Sequence, residues 1–177
     1  ELRRDVLYTP SECSRACMAG WRFSRERGAW LPSAACEEDA PVVLDRPLRL
    51  ATLNVLHDNT LGEVLHHEVR YDAICTELAT LDADVIGLNE CTVRFLERVL
   101  REEWVRDRYT VSAVADDATC AHVVSTAVDA ALGNLLLSRL RPSTCRWLEQ
   151  PGDGRHSHAM TFYLSGGGVG GGGDPEV

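Results

Sequence analysis

The sequence contains no lysine, and all 18 of its basic residues are arginine. The abundant Ala, Gly and Val beside this absence are typical of a GC-rich coding sequence, so the arginines alone do not indicate guanidinium chemistry. An excess of positive charge is also missing, since the net charge is −9. An acidic chain has no general attraction to nucleic acid or to anionic membranes. Contact with nucleic acid would therefore need a local basic patch or a bound cation.

Long apolar runs are absent as well. No stretch approaches the roughly 20 apolar residues of a membrane span, and no apolar segment of the kind found in signal peptides follows Glu1–Asp5. Seven cysteines, an odd number spread over predicted strands and helices, do not suggest a disulfide framework. These features predict an intracellular protein, nuclear or cytoplasmic, with reduced thiols and no membrane span.

With 177 residues, 45% of them hydrophobic, the chain is long enough for about one folded domain. Residues 1–47 hold four prolines and no sustained period, which predicts an irregular N-terminal extension with at most one helical turn. Residues 48–164 are predicted to form the domain. Residues 165–177 are predicted to be a flexible tail, because seven of positions 166–173 are glycine.

Within 48–164 the pattern predicts alternating strands and helices followed by further strands. Residues 48–55 alternate as a strand, residues 67–81 have helical spacing, and residues 84–89 form the short apolar run of a buried strand. Thr92 is predicted to cap a second helix. Strands are predicted at 109–115 and 133–139, and a hairpin turning at 151–154 follows. This order indicates an α/β fold with mixed β-sheets.

Two polar residues end the first two strands of the domain. Asn54 ends the first strand and Glu90 ends the second. Strands joined by a helical crossover lie side by side and parallel, so these residues should meet at the carboxyl edge of the sheet, where α/β proteins bind ligands. A carboxylate suits Mg²⁺, and an amide can donate to phosphate oxygen. The residues alone leave open that both merely begin loops.

Four segments resemble the endonuclease/exonuclease/phosphatase superfamily. They are residues 50–56 (LATLNVL), Arg70-Tyr71 at the opening of a helix, residues 81–90 (LDADVIGLNE) and residues 133–140 (GNLLLSRL). Gly154-Arg155-His156 resembles the Gly-Arg that precedes a later family strand. The resemblance spans roughly residues 48–164 and is nearest to the tyrosyl-DNA phosphodiesterase 2-like branch.

The resemblance implies part of a four-layer α/β sandwich and a Mg²⁺- or Mn²⁺-dependent phosphodiesterase. It implies that Glu90 binds the metal, that Asn54 binds the phosphate beside it, and that Arg155 lies near the substrate. The implied reaction is in-line attack of water on a phosphate ester, with nucleic acid as one candidate substrate. The motifs do not separate this substrate from an inositol phosphate or a lipid headgroup, and the oligomeric state stays open.

The sequence also departs from the family pattern. Asn89 stands where the family usually has Gln, and the chain contains neither an Asp-x-Asn motif nor an Asp-His motif. These motifs supply the family's catalytic Asp and His, so the sequence predicts that this chain alone is inactive or nearly so. Half of a two-sheet sandwich would leave one sheet uncovered and its edges unpaired, which predicts poor solubility. The alternative from another class is a non-catalytic or fragmentary domain of this fold.

Three further patterns are only weak indications of metal or thiol chemistry. His67-Glu68-Val69-Arg70-Tyr71 begins like a zinc protease helix, but Tyr71 replaces the second histidine. Cys13 and Cys17 lack a second pair at zinc-finger spacing. Cys91, beside Glu90, is interpreted as a small packing residue rather than a reactive thiol.

Overall fold

A computed structural model describes residues 18–34, 42–44, 46–56, 66–114, 133–142, 144–149, 156–162 and 164–166. These residues form an α/β fold with a mixed eight-stranded sheet and a separate two-stranded sheet. None of the helices in these ranges is long and apolar enough to cross a membrane. The strands are β1 Met18–Ser24, β2 Ala29–Ala34, β3 Val42–Leu44, β4 Leu50–Asn54, β5 Val85–Cys91, β6 Thr110–Val111, β7 Gly133–Ser138, β8 Thr144–Glu149, β9 His156–Thr161 and β10 Leu164–Gly166. The helices are α1 His67–Thr80, α2 Val93–Val99 and α3 Glu103–Arg108.

The β4–α1–β5 unit confirms the predicted crossover. The two strands pair in parallel, with Leu50 opposite Val85 and Asn54 opposite Asn89. Thr92 caps α2 as predicted, since its hydroxyl accepts a hydrogen bond from the Phe95 amide. The short helix α3 is an addition that the sequence did not predict.

The large sheet continues beyond β5 through antiparallel neighbours. Its strand order is β4-β5-β7-β6-β1-β8-β9, and β2 pairs with β1. The predicted strand at 133–139 is confirmed as β7, and the predicted hairpin is confirmed as β8 and β9, with Trp147 opposite His158. The predicted strand at 109–115 is reduced to two residues. Beyond them, the Ser112 amide donates to the Leu136 carbonyl at 2.9 Å, and the Ser112 hydroxyl accepts a hydrogen bond from the Leu136 amide at 3.0 Å.

One face of the sheet carries the hydrophobic core. Ile86, Leu88, Leu135 and Leu137 are almost fully buried, in one cluster with the apolar residues of α1 and α2. The pairing register puts Leu50 on the opposite face, where it is 69% exposed. Alternation along paired strands therefore separates a buried face from a more open one at the β4–β5 end.

The prediction that residues 1–47 are irregular is wrong for residues 18–34. β1 and β2 form an antiparallel hairpin, and β1 joins the main sheet by pairing Trp21 with Val111 of β6. The prediction of a flexible tail from Ser165 is wrong for its first two residues. Ser165 and Gly166 belong to β10, which pairs in parallel with β3. Residues 167–177 and the predicted turn at 151–154 lie outside the described residues.

Candidate active site

The structure brings Asn54 and Glu90 into direct contact. Although 36 residues separate them, the Asn54 Nδ2 donates to Glu90 Oε1 at 2.7 Å. The parallel ladder extends past β4, because the Val55 amide donates to the Asn89 carbonyl at 2.9 Å. This confirms the predicted proximity of the two side chains at the carboxyl edge of the sheet.

A local break in the ladder directs Glu90 toward Asn54. Strict alternation would place Glu90 on the same face as Leu88, which is 1% exposed and lies in the core. The pairing of β5 with β7 instead shifts register between Leu88 and Cys91, and Glu90 has a left-handed φ of 58°. A β-bulge of this kind re-aims a side chain. The carboxylate therefore leaves the core face and reaches the end of the neighbouring strand.

The backbone conformation of Glu90 is unfavourable for a residue with a Cβ. A left-handed φ costs an L-residue roughly 1–2 kcal/mol, and such outliers are concentrated at functional sites. Leu56, just beyond Asn54, also has a left-handed φ of 55°. Two strained residues thus flank the ends of two neighbouring strands.

The amide of Asn54 is held in one orientation. Its Oδ1 accepts a hydrogen bond from the Leu56 amide at 2.9 Å, so its Nδ2 faces Glu90. An amide nitrogen carries two hydrogens. Asn54 can therefore donate to a second oxygen, such as a phosphate oxygen, while it holds Glu90.

Asn89 lies beside this pair on the more open face. It is opposite Asn54 in the ladder, and its Nδ2 lies 3.5 Å from the Thr52 hydroxyl. At that length the contact is weak. Asn89 is exposed, so a polar ligand at the strand ends would meet this amide as well.

The start of α1 lies next to the same strand end. Arg70 Nη2 donates to the Leu56 carbonyl at 2.5 Å and lies 3.2 Å from His67 Nδ1. His67 is 7% exposed, and its ring packs beside the Tyr71 ring at a centroid distance of 6.1 Å. His66, which precedes it, is exposed. No role for Arg70 at the site is predictable from the sequence, because its contact with Leu56 depends on the turn after β4.

Tyr71 excludes the zinc helix geometry. Its side chain is fully buried, and its ring meets the Phe95 ring edge-on at 4.9 Å. The position that a zinc protease gives to its second histidine therefore belongs to the core. Within the described ranges, no cluster of three or more His, Cys, Asp or Glu side chains is arranged to hold a metal.

Glu90 fits a metal site that has fewer protein ligands than such a cluster. Mg²⁺ is usually held by one or two carboxylates, with water and substrate phosphate completing its shell. Glu90 supplies one half-buried carboxylate that points out of the core, and Asn54 orients it. Hydrogen bonding of a ligating carboxylate by a neighbour is a common feature of metal sites. The pair fits the protein share of a partial Mg²⁺ site.

Cys91 follows Glu90 and supports the packing interpretation. It is 6% exposed, and burial raises the pKa of its thiol to about 12. A thiol with so high a pKa is protonated at neutral pH and is a poor nucleophile.

Several residues singled out by the sequence fall outside the described part of the chain. They include Arg155, Cys13 and Cys17. The structure therefore brings together two of the three residues implied by the family resemblance. Comparisons with protein-family models, with curated proteins and with solved structures found no match to this chain.

Proposed function

We propose that this chain carries the first part of a Mg²⁺-dependent phosphodiesterase site of the endonuclease/exonuclease/phosphatase type. The observation that carries the proposal is the contact between Asn54 and Glu90 at the carboxyl ends of parallel strands. Supporting it is the bulge that turns Glu90 away from the core at some conformational cost. A pair that merely began loops would not require a strained glutamate.

In this proposal Glu90 holds a divalent cation, Mg²⁺ or Mn²⁺, through its carboxylate. Asn54 orients that carboxylate and donates its second amide hydrogen to a phosphate oxygen. The cation supplies neutralisation of charge on the phosphate. A phosphate ester is the substrate class, with nucleic acid as one candidate, and a bound cation would offset the repulsion between an acidic chain and such a substrate.

We also propose the finer architecture, a four-layer sandwich. Support comes from the more open face of the sheet, where Leu50 is 69% exposed and Thr52 is exposed. A second sheet packed on that face would cover Leu50 and place its own residues beside Asn54. Sheets pack face to face about 10 Å apart.

In this proposal the chain binds the cation and the phosphate ester but hydrolyses little of the ester. No Asp-x-Asn or Asp-His motif is present in its sequence to supply a general base. Loss of general acid–base catalysis costs typically 10²–10⁴-fold in rate. The same motif absences favour the second candidate function, a non-catalytic domain of this fold.

Cation binding is the direct test. Mn²⁺ binding would be measured by electron paramagnetic resonance for the whole chain and for Glu90→Gln. Glu77→Gln is the matched control, because it removes the same charge from an exposed position of α1. We expect saturable Mn²⁺ binding that Glu90→Gln abolishes and Glu77→Gln preserves. Absence of binding, or equal binding by Glu90→Gln, would refute the proposal.

Hydrolysis separates the two candidate functions. The substrate would be bis-p-nitrophenyl phosphate, with Mg²⁺ or with EDTA. Metal-dependent turnover that Glu90→Gln removes would establish a phosphodiesterase able to work without the missing motifs. Glu90-dependent binding of Mn²⁺ without turnover would favour the non-catalytic domain, or a site that needs further residues.

A further inference from the structure

The described structure contains a chain of hydrogen bonds that leads from α1 to Glu90. Arg70 Nη2 donates to the Leu56 carbonyl, and the Leu56 amide donates to Asn54 Oδ1. Asn54 Nδ2 then donates to Glu90 Oε1. Each link fixes the orientation of the next group. We propose that Arg70 is a positioning residue for the candidate cation site, acting through Leu56 and Asn54.

Leu56 is the link that most needs support. Its φ of 55° is left-handed, which an L-residue adopts at a cost of roughly 1–2 kcal/mol. Its side chain is 45% exposed, so packing does little to hold it. The hydrogen bonds on its two sides, to Asn54 and from Arg70, therefore stabilise the conformation.

The orientation of Asn54 depends on that conformation. While the Leu56 amide donates to Oδ1, the amide plane leaves Nδ2 facing Glu90. If Leu56 relaxed to a negative φ, its amide would turn away and the Asn54 side chain could rotate. Glu90 would then lose the donor that orients its carboxylate.

Arg70 itself is fixed in place. Its guanidinium carbon lies 5.4 Å from the centre of the Tyr71 ring, which is fully buried, and Nη2 also contacts His67 Nδ1. Tyr71 in turn approaches the Thr92 hydroxyl at 3.5 Å, two residues after Glu90. Arg70 therefore holds the turn after β4 from a helix that packs against the strand carrying Glu90.

The Nη2 atom carries the polar contacts that the Arg70 side chain makes within the part of the chain that the structure describes. It donates to the Leu56 carbonyl and lies beside His67 Nδ1. The contact with Leu56 is therefore the one by which Arg70 acts on the turn after β4.

The inference rests on the proposed function, and removal of Arg70 tests it. The test is whether cation affinity rises or falls. By Coulomb's law, loss of a positive charge near a cation site should strengthen cation binding. Loss of a positioning residue should weaken it, typically 10–100-fold for groups that orient metal ligands. For Arg70→Met we expect Mn²⁺ binding to weaken by this factor while the melting temperature stays close to that of the unchanged chain. Arg70→Lys, which can still donate to the Leu56 carbonyl, should recover part of the affinity.

Matched variants make the result specific. Arg94→Met removes an equal charge from an exposed position of α2 and should leave the affinity unchanged. Leu56→Pro removes the amide donor to Asn54 and forbids a positive φ, and it leaves the Arg70 side chain in place. It should weaken binding about as much as Arg70→Met, and Leu56→Gly, which tolerates positive φ, should weaken it less.

The outcomes separate the two proposals. If Glu90→Gln leaves Mn²⁺ binding unchanged, the proposed function fails. If Glu90→Gln abolishes binding while Arg70→Met binds equally or more tightly, the site stands and the positioning role is refuted. If Arg70→Met does not fold, Leu56→Pro decides: wild-type affinity in that variant would overturn the inference.

Discussion

The Arg46 guanidinium binds both carboxylate oxygens of Asp84. Nη1 lies 2.8 Å from Oδ2 and Nη2 lies 2.6 Å from Oδ1. The Arg49 amide adds a third hydrogen bond, to Oδ2, at 2.9 Å. Asp84 precedes β5, so this cluster stabilises the strand ends opposite to those of Asn54 and Glu90. Asp84 is only 3% exposed, and its charge is therefore compensated almost wholly by these partners.

Asp84→Asn should destabilise the fold in a pH-dependent way. The hydrogen bond from Arg46 holds the pKa of the Asp84 carboxyl below its usual value. A carboxyl with a lowered folded-state pKa stabilises the protein above its unfolded pKa of about 4 and loses that contribution as pH falls through the lower value. We expect about 1–3 kcal/mol of destabilisation at neutral pH, from lost charged hydrogen bonds. Urea denaturation across this pH range would measure it.

The difference between Asp84→Asn and the unchanged chain should shrink as the pH falls below about 4. Asp82→Asn is the control, because Asp82 is 54% exposed by its side chain and pairs with Arg49 and Arg139 at the surface. It should have a smaller effect. A constant difference at all pH values would show that the Asp84 charge is not what stabilises this end of the sheet.

The segment 81–90 shows how much of the site the sequence could predict. Parallel pairing through a crossover helix brings two strand ends together whatever their side chains, so the meeting of Asn54 and Glu90 was predictable. The bulge was not predictable, because it arises from the antiparallel register of β5 with β7. These partners are distant in the chain, since Cys91 pairs with Gly133, 42 positions later. The contact from Arg70 to Leu56 was equally hidden, since it depends on a left-handed turn.

Thr92→Ala should weaken the short helix α2. The Thr92 hydroxyl accepts a hydrogen bond from the Phe95 amide at 3.3 Å and satisfies one unpaired donor of the first turn. Removal of such a cap costs about 0.5–2 kcal/mol. Thr92→Ser retains the hydroxyl and should stay near the stability of the unchanged chain. Thermal denaturation of both variants would check this, and equal losses would show that the methyl group matters rather than the cap.

Cys91 should resist alkylation in the folded protein. Burial raises the pKa of its thiol to about 12, so near pH 8 the thiol stays protonated and unreactive. Labelling with iodoacetamide, followed by mass spectrometry, should modify Cys91 only in concentrated guanidinium chloride. Cys145 is less buried, and its pKa is raised to about 11, so it should react sooner. Native-state labelling of Cys91 at the denatured rate would instead indicate a reactive thiol beside the candidate site.

The N-terminal hairpin has a strand signal in its sequence, which the prediction of an irregular segment at 1–47 does not include. Trp21 and Phe23 alternate with polar residues, as expected for a strand, and Gly28 supplies the left-handed residue of a turn. Pro32 obscures the pattern, because proline is unfavourable inside a sheet. β2 tolerates Pro32 because β2 pairs only with β1 among the described strands, which leaves its other side without a ladder.

Gly20→Ala tests whether this hairpin is an integral part of the sheet. Gly20 has a left-handed φ of 92°, and a Cβ there would lie 2.7 Å from the Val111 carbonyl oxygen of β6. The conformational cost of about 1–2 kcal/mol therefore adds to an overpacking cost of about 1–3 kcal/mol. We expect the free energy of unfolding to fall by the sum of these two costs. Gly28→Ala is the matched control, because its φ of 60° imposes the first cost while open space removes the second.

If Gly20→Ala cost no more than Gly28→Ala, β1 would not be docked on β6 in solution, and residues 18–34 would be an extension after all. A larger loss from Gly20→Ala in a single cooperative transition would place the hairpin within the same folding unit as β4 and β5, which carry the candidate site.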